Sequence, residues 1–241
     1  MCGSFLRELQ DSVQGLRALF FPRKCLVCGC FLPEEDKDVC RTCLDDLPLT
    51  WQWDIVQNAA FERLARQFEV EAAASLLFFG TESDYRRIVY AFKYGGRQQL
   101  ACRMGRILGT YLKQSREFAR CQAVVPVPLH PLRRWKRGYN QAELIARGVA
   151  EEMGLPVETK LLHRRRNTKT QTKLHGAAKT RNVQGAFVVD SRRAATIGQQ
   201  GVRHLLLVDD VLTTGSTLKA CAVPLQAAGF RLSATTIGFV G

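Results

Sequence analysis

No apolar run reaches the roughly 18 residues that would suggest a membrane span, and the start is interrupted by Arg7, Glu8, Asp11 and Arg17, which spoils a secretory core. These absences predict a cytoplasmic protein with no membrane span. Without an export signal, the nine cysteines are expected as free thiols for metal binding or burial, not as disulfides. No internal repeat at solenoid spacing is present, which removes repeat architectures. Acid is also scarce: 22 Asp and Glu stand against 35 Lys and Arg, a net charge of +13. Such an excess points to polyanionic partners, either phosphorylated small molecules or nucleic acid.

The basic excess is concentrated at Arg133, Arg134, Lys136, Arg137, Arg164, Arg165, Arg166, Lys169, Lys173, Lys179 and Arg181. That clustering favours a site over a solubilising surface. With 46% apolar and 24% charged residues, 241 residues suffice for one α/β domain plus a small appendage. Phe5, Leu6, Leu9, Val13, Leu16, Leu19 and Phe20 recur at largely helical spacing, so the first 21 residues read as an amphipathic helix packing on its own protein. A cysteine module and a docking stretch follow, giving a first region of 1–57. The second region, 58–241, opens with a linker-like helix over 58–67. Strand signals fall at 74–79, 123–127, 157–162, 186–189, 203–208 and 232–239, and helix signals at 85–94, 100–115, 140–153 and 216–228. Their alternation predicts a mostly parallel sheet flanked by helices. The polar, basic stretch over 164–185 lacks periodicity and reads as a long loop or a functional lid.

Cys25-x2-Cys28 and Cys40-x2-Cys43 are two knuckles eleven residues apart, with Pro22, Gly29 and Pro33 marking turns. Four thiolates can close a tetrahedral site around Zn²⁺, and so short a segment would take most of its folding energy from the metal. A redox pair would need one CxxC, not two. Cys30 is a spare thiol, while Cys2, Cys102, Cys121 and Cys221 read as small buried apolar residues.

The apolar run His204-Leu205-Leu206-Leu207-Val208 leads into Asp209-Asp210, and then into Thr213-Thr214-Gly215-Ser216-Thr217 ahead of a helix. A buried strand would carry this loop to the carboxyl edge of the sheet, where open α/β folds bind ligands. There the backbone N–H groups and hydroxyls of a helix start can receive a phosphate. The two carboxylates would repel a phosphate, so they read as acceptors for vicinal ribose hydroxyls. Helix capping alone would explain one threonine, not the paired acids and the second run of hydroxyls. The stretch resembles the signature of type I phosphoribosyltransferases.

A second strand-to-helix unit holds Pro126-Val127-Pro128-Leu129-His130, Arg133 and Arg137-Gly138-Tyr139-Asn140-Gln141-Ala142-Glu143. With the cysteine knuckles, Phe92-Lys93-Tyr94-x-Gly96, Thr168, Gln171 and Asp209-Asp210, these segments resemble the ComF/GntX family of phosphoribosyltransferase-like proteins. The resemblance implies a type I phosphoribosyltransferase fold with an N-terminal zinc ribbon, and a role in handling imported DNA, with DNA-uptake proteins as partners. The phosphate loop, through its likeness to the type I signature, implies 5-phosphoribosyl-1-pyrophosphate or a close relative as ligand, with Mg²⁺ bridging pyrophosphate oxygens and ribose hydroxyls. On that reading Asp209 and Asp210 orient the ribose, and Thr213, Thr214, Gly215, Ser216 and Thr217 hold the 5-phosphate. Lys93, Arg133, Arg137, Arg164 and Arg166 are candidates for the diphosphate. The rival reading is a module for single-stranded DNA or nucleotide sensing, in which Trp51, Trp53, Trp135 and Tyr139 stack bases.

Overall fold

The computed structural model describes residues 23–165 and 185–241. The helix expected over the first 21 residues lies outside them, as do Arg166, Thr168 and Gln171. The chain divides into two units between Leu47 and Pro48.

In the first unit Lys24 and Phe31 form an antiparallel bridge around a turn that includes Gly29, and helix α1 spans Arg41–Asp45. Leu26 N–H donates to the Asp38 carbonyl at 2.8 Å, and Val27 and Val39 are buried.

In the second unit, helix α2 (Ala59–Ala65) precedes strand β1 (Ala73–Phe79). Helices α3 (Arg86–Tyr94) and α4 (Gln98–Gln114) lead to strand β2 (Ala123–Pro126). Helices α5 (Pro131–Arg137) and α6 (Gln141–Met153) come next. A hairpin of β3 (Leu162–Arg164) and β4 (Phe187–Val189) is followed by helix α7 (Ser191–Gln199). Strand β5 (His204–Leu212), helix α8 (Ser216–Ala227) and strand β6 (Arg231–Val240) complete the chain.

The main sheet has the order β1-β6-β5-β2, and every pair in it is parallel. Sheets of this kind are covered on both faces, which is why β5 begins as an unbroken apolar run. Ala123, Val125, Leu205, Leu207, Leu232 and Ala234 share one core with Leu218 and Leu225 of α8. Val124, Leu206 and Val208, the alternate set, are equally buried. Helices α4 and α6 pack closely because Gly105 and Gly148 face the neighbouring backbone. A Cβ on Gly148 would lie 2.2 Å from the Cys102 carbonyl oxygen, a contact no side chain tolerates.

Five features differ from the sequence expectations, each for a local reason. Residues 48–57 group with the sheet, not with the cysteine module, because Phe78 N–H donates to Pro48 O, Thr50 N–H to Leu76 O, and Ser75 N–H to Gln52 Oε1. Of the strand expected over 157–162, Val157 forms one parallel bridge and Leu162 opens β3, while between them Glu158 accepts from Arg193 Nε and Nη2 at 2.7 and 2.6 Å and the chain turns. Helix α5 was not anticipated between the strand expected over 123–127 and the helix expected over 140–153. His130 Nδ1 caps it, Pro131 opens it and Gly138 closes it at φ 80, while no residue in it is buried to create a periodicity. Helix α7 was not anticipated, since Ile197 is its one buried residue and its start signal is the Asp190 cap. The strand expected over 203–208 runs on to Leu212, so the acids lie within it: Asp209 pairs in register with Thr236, and Val211 with Gly238.

Candidate functional site

Successive side chains of a strand leave its sheet on opposite faces, so Asp209 and Asp210 enter different surroundings at the carboxyl end of β5. Asp210 is 6% exposed. Lys93 Nζ of α3 lies 2.9 Å from its Oδ1, and Gln141 Nε2 of α6 donates to its Oδ2 at 2.7 Å. Arg137 donates to Gln141 Oε1, and its guanidinium sits 5.1 Å from the Tyr94 ring centroid. The carboxylate is therefore held by a network from α3, α5 and α6.

Asp209 is half-buried and accepts the Asp210 N–H at 2.8 Å. Burial, and then the Asp210 charge, push its carboxyl up to about 7, against the opposing pull of the Asp210 N–H, Lys93 and Arg164. Cys221, fully buried in α8, feels the Asp209 charge and is raised, mainly by burial. The acid pair thus has one member fixed in a salt bridge and one poised to ionise near neutral pH.

Beyond β5 the chain bends through Thr213 and Thr214, both exposed, into Gly215, the residue before α8. Gly215 is left-handed at φ 81, and a Cβ there would lie 2.6 Å from Gln67 Nε2 and 2.8 Å from Leu64 Cδ2. Only glycine meets both demands. Thr214 Oγ1 and Ser216 Oγ share a hydrogen bond of 2.8 Å, and Ser216 and Thr217 are half-buried in the first turn of α8. Arg63 Nη1 donates to the Thr213 carbonyl at 2.7 Å and also to the Val240 carbonyl. Gln67 Nε2 donates to the Thr214 carbonyl. The helix that looked like a linker therefore braces this turn. Arg63 and Gln67 escaped sequence reasoning; their signal, a polar pair four residues apart, is common on any solvated helix.

The expected diphosphate cations fall into two groups. Lys93 and Arg137 belong to the Asp210 network. Arg164 and the half-buried Arg133 form the other group: burial, followed by Arg133, lowers the Arg164 guanidinium, while Asp209 raises it. Arg164 also lines a cavity of about 200 Å³ with Pro126, Pro128, Leu129, Arg134 and Asn140. Arg166 lies outside the described residues.

The four knuckle cysteines of the first unit converge, with all their sulfurs within 4.8 Å of one another. Sulfurs about 2.3 Å from a tetrahedral ion stand roughly 3.8 Å apart. Cys28 and Cys40 Sγ are 3.8 Å apart, so the set is compatible with structural zinc. Backbone and thiol hydrogen bonds from Cys30 lower Cys28 to about 6, while burial raises Cys43.

Of the aromatics expected to stack bases, Tyr139 is buried and donates to the Phe92 carbonyl at 2.7 Å. Trp53 is buried and stacked on Tyr111 at 4.3 Å, and Trp51 packs against both of them. Trp135 is open, at 83% exposed. Sequence reading missed Tyr90 and Tyr94, which are 61% and 73% exposed on α3 and stack with centroids 6.1 Å apart.

Fold and site together define an α/β protein with acids and a braced hydroxyl turn at the carboxyl edge of a parallel sheet, and a four-cysteine cluster near its N-terminus. No protein-family model matches the chain. It is 33% identical over 117 residues to competence protein F of Haemophilus influenzae, covering 48% of this chain and 49% of that protein. It is 32% identical over 138 residues to the DNA utilization protein YhgH of Salmonella typhimurium, and 30% identical over 138 residues to that of Escherichia coli K12. Both of these matches cover 56% of this chain and 58% of the relative. The chain thus spans about half the length of the curated relatives it matches, and over that half it is similar to competence protein F and to YhgH, in agreement with the resemblance. Among the described residues no helix is long and apolar enough to cross a membrane.

Proposed function

We propose that the chain binds 5-phosphoribosyl-1-pyrophosphate with Mg²⁺ and acts as a cytoplasmic phosphoribosyltransferase-like protein in the handling of imported DNA, with DNA-uptake proteins as partners. The observation that carries this reading is the half-buried Asp209 in the last part of β5, with the braced turn beginning at Thr213 as soon as that strand ends. The turn receives the 5-phosphate through N–H groups and hydroxyls at the start of α8. Asp209, ionised, accepts from the ribose hydroxyls. Arg133 and Arg164 meet the diphosphate, and Asp210 keeps Lys93 and Gln141 in place beside it. Mg²⁺ bound with the diphosphate supplies charge neutralisation as the C1–O bond opens.

Thermal unfolding with and without the ligand and Mg²⁺ tests this reading. At about one hundred times Kd the wild type gains roughly 2.7 kcal/mol, read as a rise in Tm. The Asp209→Asn/Asp210→Asn variant shows no rise above its own baseline. An unshifted wild-type transition sinks the assignment.

A second reading, single-stranded DNA on the outer surface, is favoured by Tyr90 and Tyr94 stacked in the open beside the Arg137 guanidinium. Aromatic faces and arginines of this kind take up bases without sequence preference, at about 1–3 kcal/mol per base. The relatives' names, competence protein F and DNA utilization protein YhgH, support such a role. Replacing both tyrosines with alanine weakens oligonucleotide binding about tenfold or more, and binding falls steeply with added salt. Unchanged affinity in the double variant removes this reading.

A further inference from the structure

Helix α2 is tied down at both ends. At its start Asn58, 6% exposed, accepts from the Ala60 and Phe61 N–H groups through Oδ1. Its amide Nδ2 meanwhile donates to the carbonyls of Gln52, Ile55 and Ala73, fixing the helix to the beginning of β1. At the other end Arg63, and Gln67 just past the helix, take the Thr213 and Thr214 carbonyls. The Arg63 guanidinium also lies over the Phe239 ring at 4.2 Å, and Gln67 Nε2 reaches the Arg63 carbonyl at 3.2 Å, so each donor is itself held.

A trans peptide is planar, with its C=O and N–H pointing in opposite directions. A carbonyl of Thr213 drawn toward α2 therefore turns the Thr214 N–H away from α2, and the Thr214 carbonyl does the same for the Gly215 N–H. Neither peptide plane can rotate without breaking a hydrogen bond to α2. Gly215 completes the arrangement, because its missing Cβ leaves the space that Gln67 and Leu64 occupy.

We propose that Arg63 and Gln67 are positioning residues that aim the Thr214 and Gly215 N–H groups at the phosphate of a phosphorylated ribose. The inference rests on the phosphoribosyl reading and deepens it: the anion site is set from outside the loop, by a helix that does not touch the ligand. Convergent N–H groups bind an anion only when their directions are fixed beforehand.

Titration calorimetry with ribose 5-phosphate and, separately, with inorganic pyrophosphate plus Mg²⁺ tests it on the full chain. Gln67→Met removes the donor without adding charge, Arg63→Met does the same for the guanidinium, and Arg63→Lys keeps a cationic donor. Either methionine variant is expected to bind ribose 5-phosphate about tenfold more weakly while pyrophosphate changes less than about twofold, with Arg63→Lys recovering most of the loss. In amide NMR spectra, the Thr214 and Gly215 signals move on adding ribose 5-phosphate to wild type and move little in Gln67→Met. Equal weakening of both ligands, or wild-type affinity for ribose 5-phosphate in the methionine variants, overturns the positioning role while leaving the site intact. Wild-type protein that binds neither ligand overturns the site reading, and the inference falls with it.

Discussion

The two units of the chain are held by different forces. In residues 23–47 the buried apolar set amounts to Cys25, Val27, Val39 and Cys43, and two of those four are knuckle thiols. From Pro48 onward, a parallel sheet buries whole strands on both faces, and its stability comes from apolar area and close packing. A segment without a core stakes its fold on one polar cluster, whereas a segment with a large core can carry buried acids at its working edge.

The largest effect tests the first half of that contrast. Chelation, or Cys28→Ser with Cys40→Ser, abolishes bound zinc by elemental analysis and opens residues 23–47 to proteolysis, while the unfolding transition of the sheet unit stays within about 2 °C. A sheet transition lost together with the metal would break the comparison. Next in size, Lys93→Met leaves the Asp210 carboxylate buried without its cation and costs about 3 kcal/mol in denaturant unfolding. Adding Asp210→Asn recovers most of that loss, since the Gln141 amide still meets the Asn side chain. If the double variant stays as weak as the single one, the pair is not what fixes α3 to the strand end.

The smallest effect concerns Asp209, whose half-buried carboxyl is still screened by water. Its folded carboxyl is raised to about 7 from an ordinary 3.8, so the folded state retains a proton that the unfolded chain releases. The contribution is complete below the unfolded value and disappears as pH rises through about 7. Wild-type Tm therefore falls by a few degrees more than that of Asp209→Asn between pH 4 and 8. Parallel profiles would mean that the carboxyl ionises as freely as one in water.

What could be read in advance follows the same division. The cysteine spacing gave the cluster, because a tetrahedral site needs no information beyond the two knuckles. Strands β1, β2, β5 and β6 were legible because parallel strands buried on both faces are largely apolar, and α3, α4, α6 and α8 because their buried faces recur at helical period. Helices α5 and α7 were not, since a helix that buries at most one residue leaves no periodic trace. At the site, Asp209, Asp210 and the turn were visible as neighbours in the chain. Their separation onto two faces was hidden because the apolar run ends at Val208 while the strand continues to Leu212. Arg63 and Gln67 lie about 150 residues along the chain from the turn they brace, and no local pattern reports a contact of that range.

The pairing of 48–52 along β1 has a consequence for self-association. A sheet margin with unused N–H and C=O groups is a template on which another chain can add itself, and long exposed margins invite fibres. Here Pro48, Thr50 and the Gln52 amide occupy one margin, and Pro156 and Glu158 bond to Val124 on the other. Copies of this protein meeting in solution find no open ladder at these points of the main sheet.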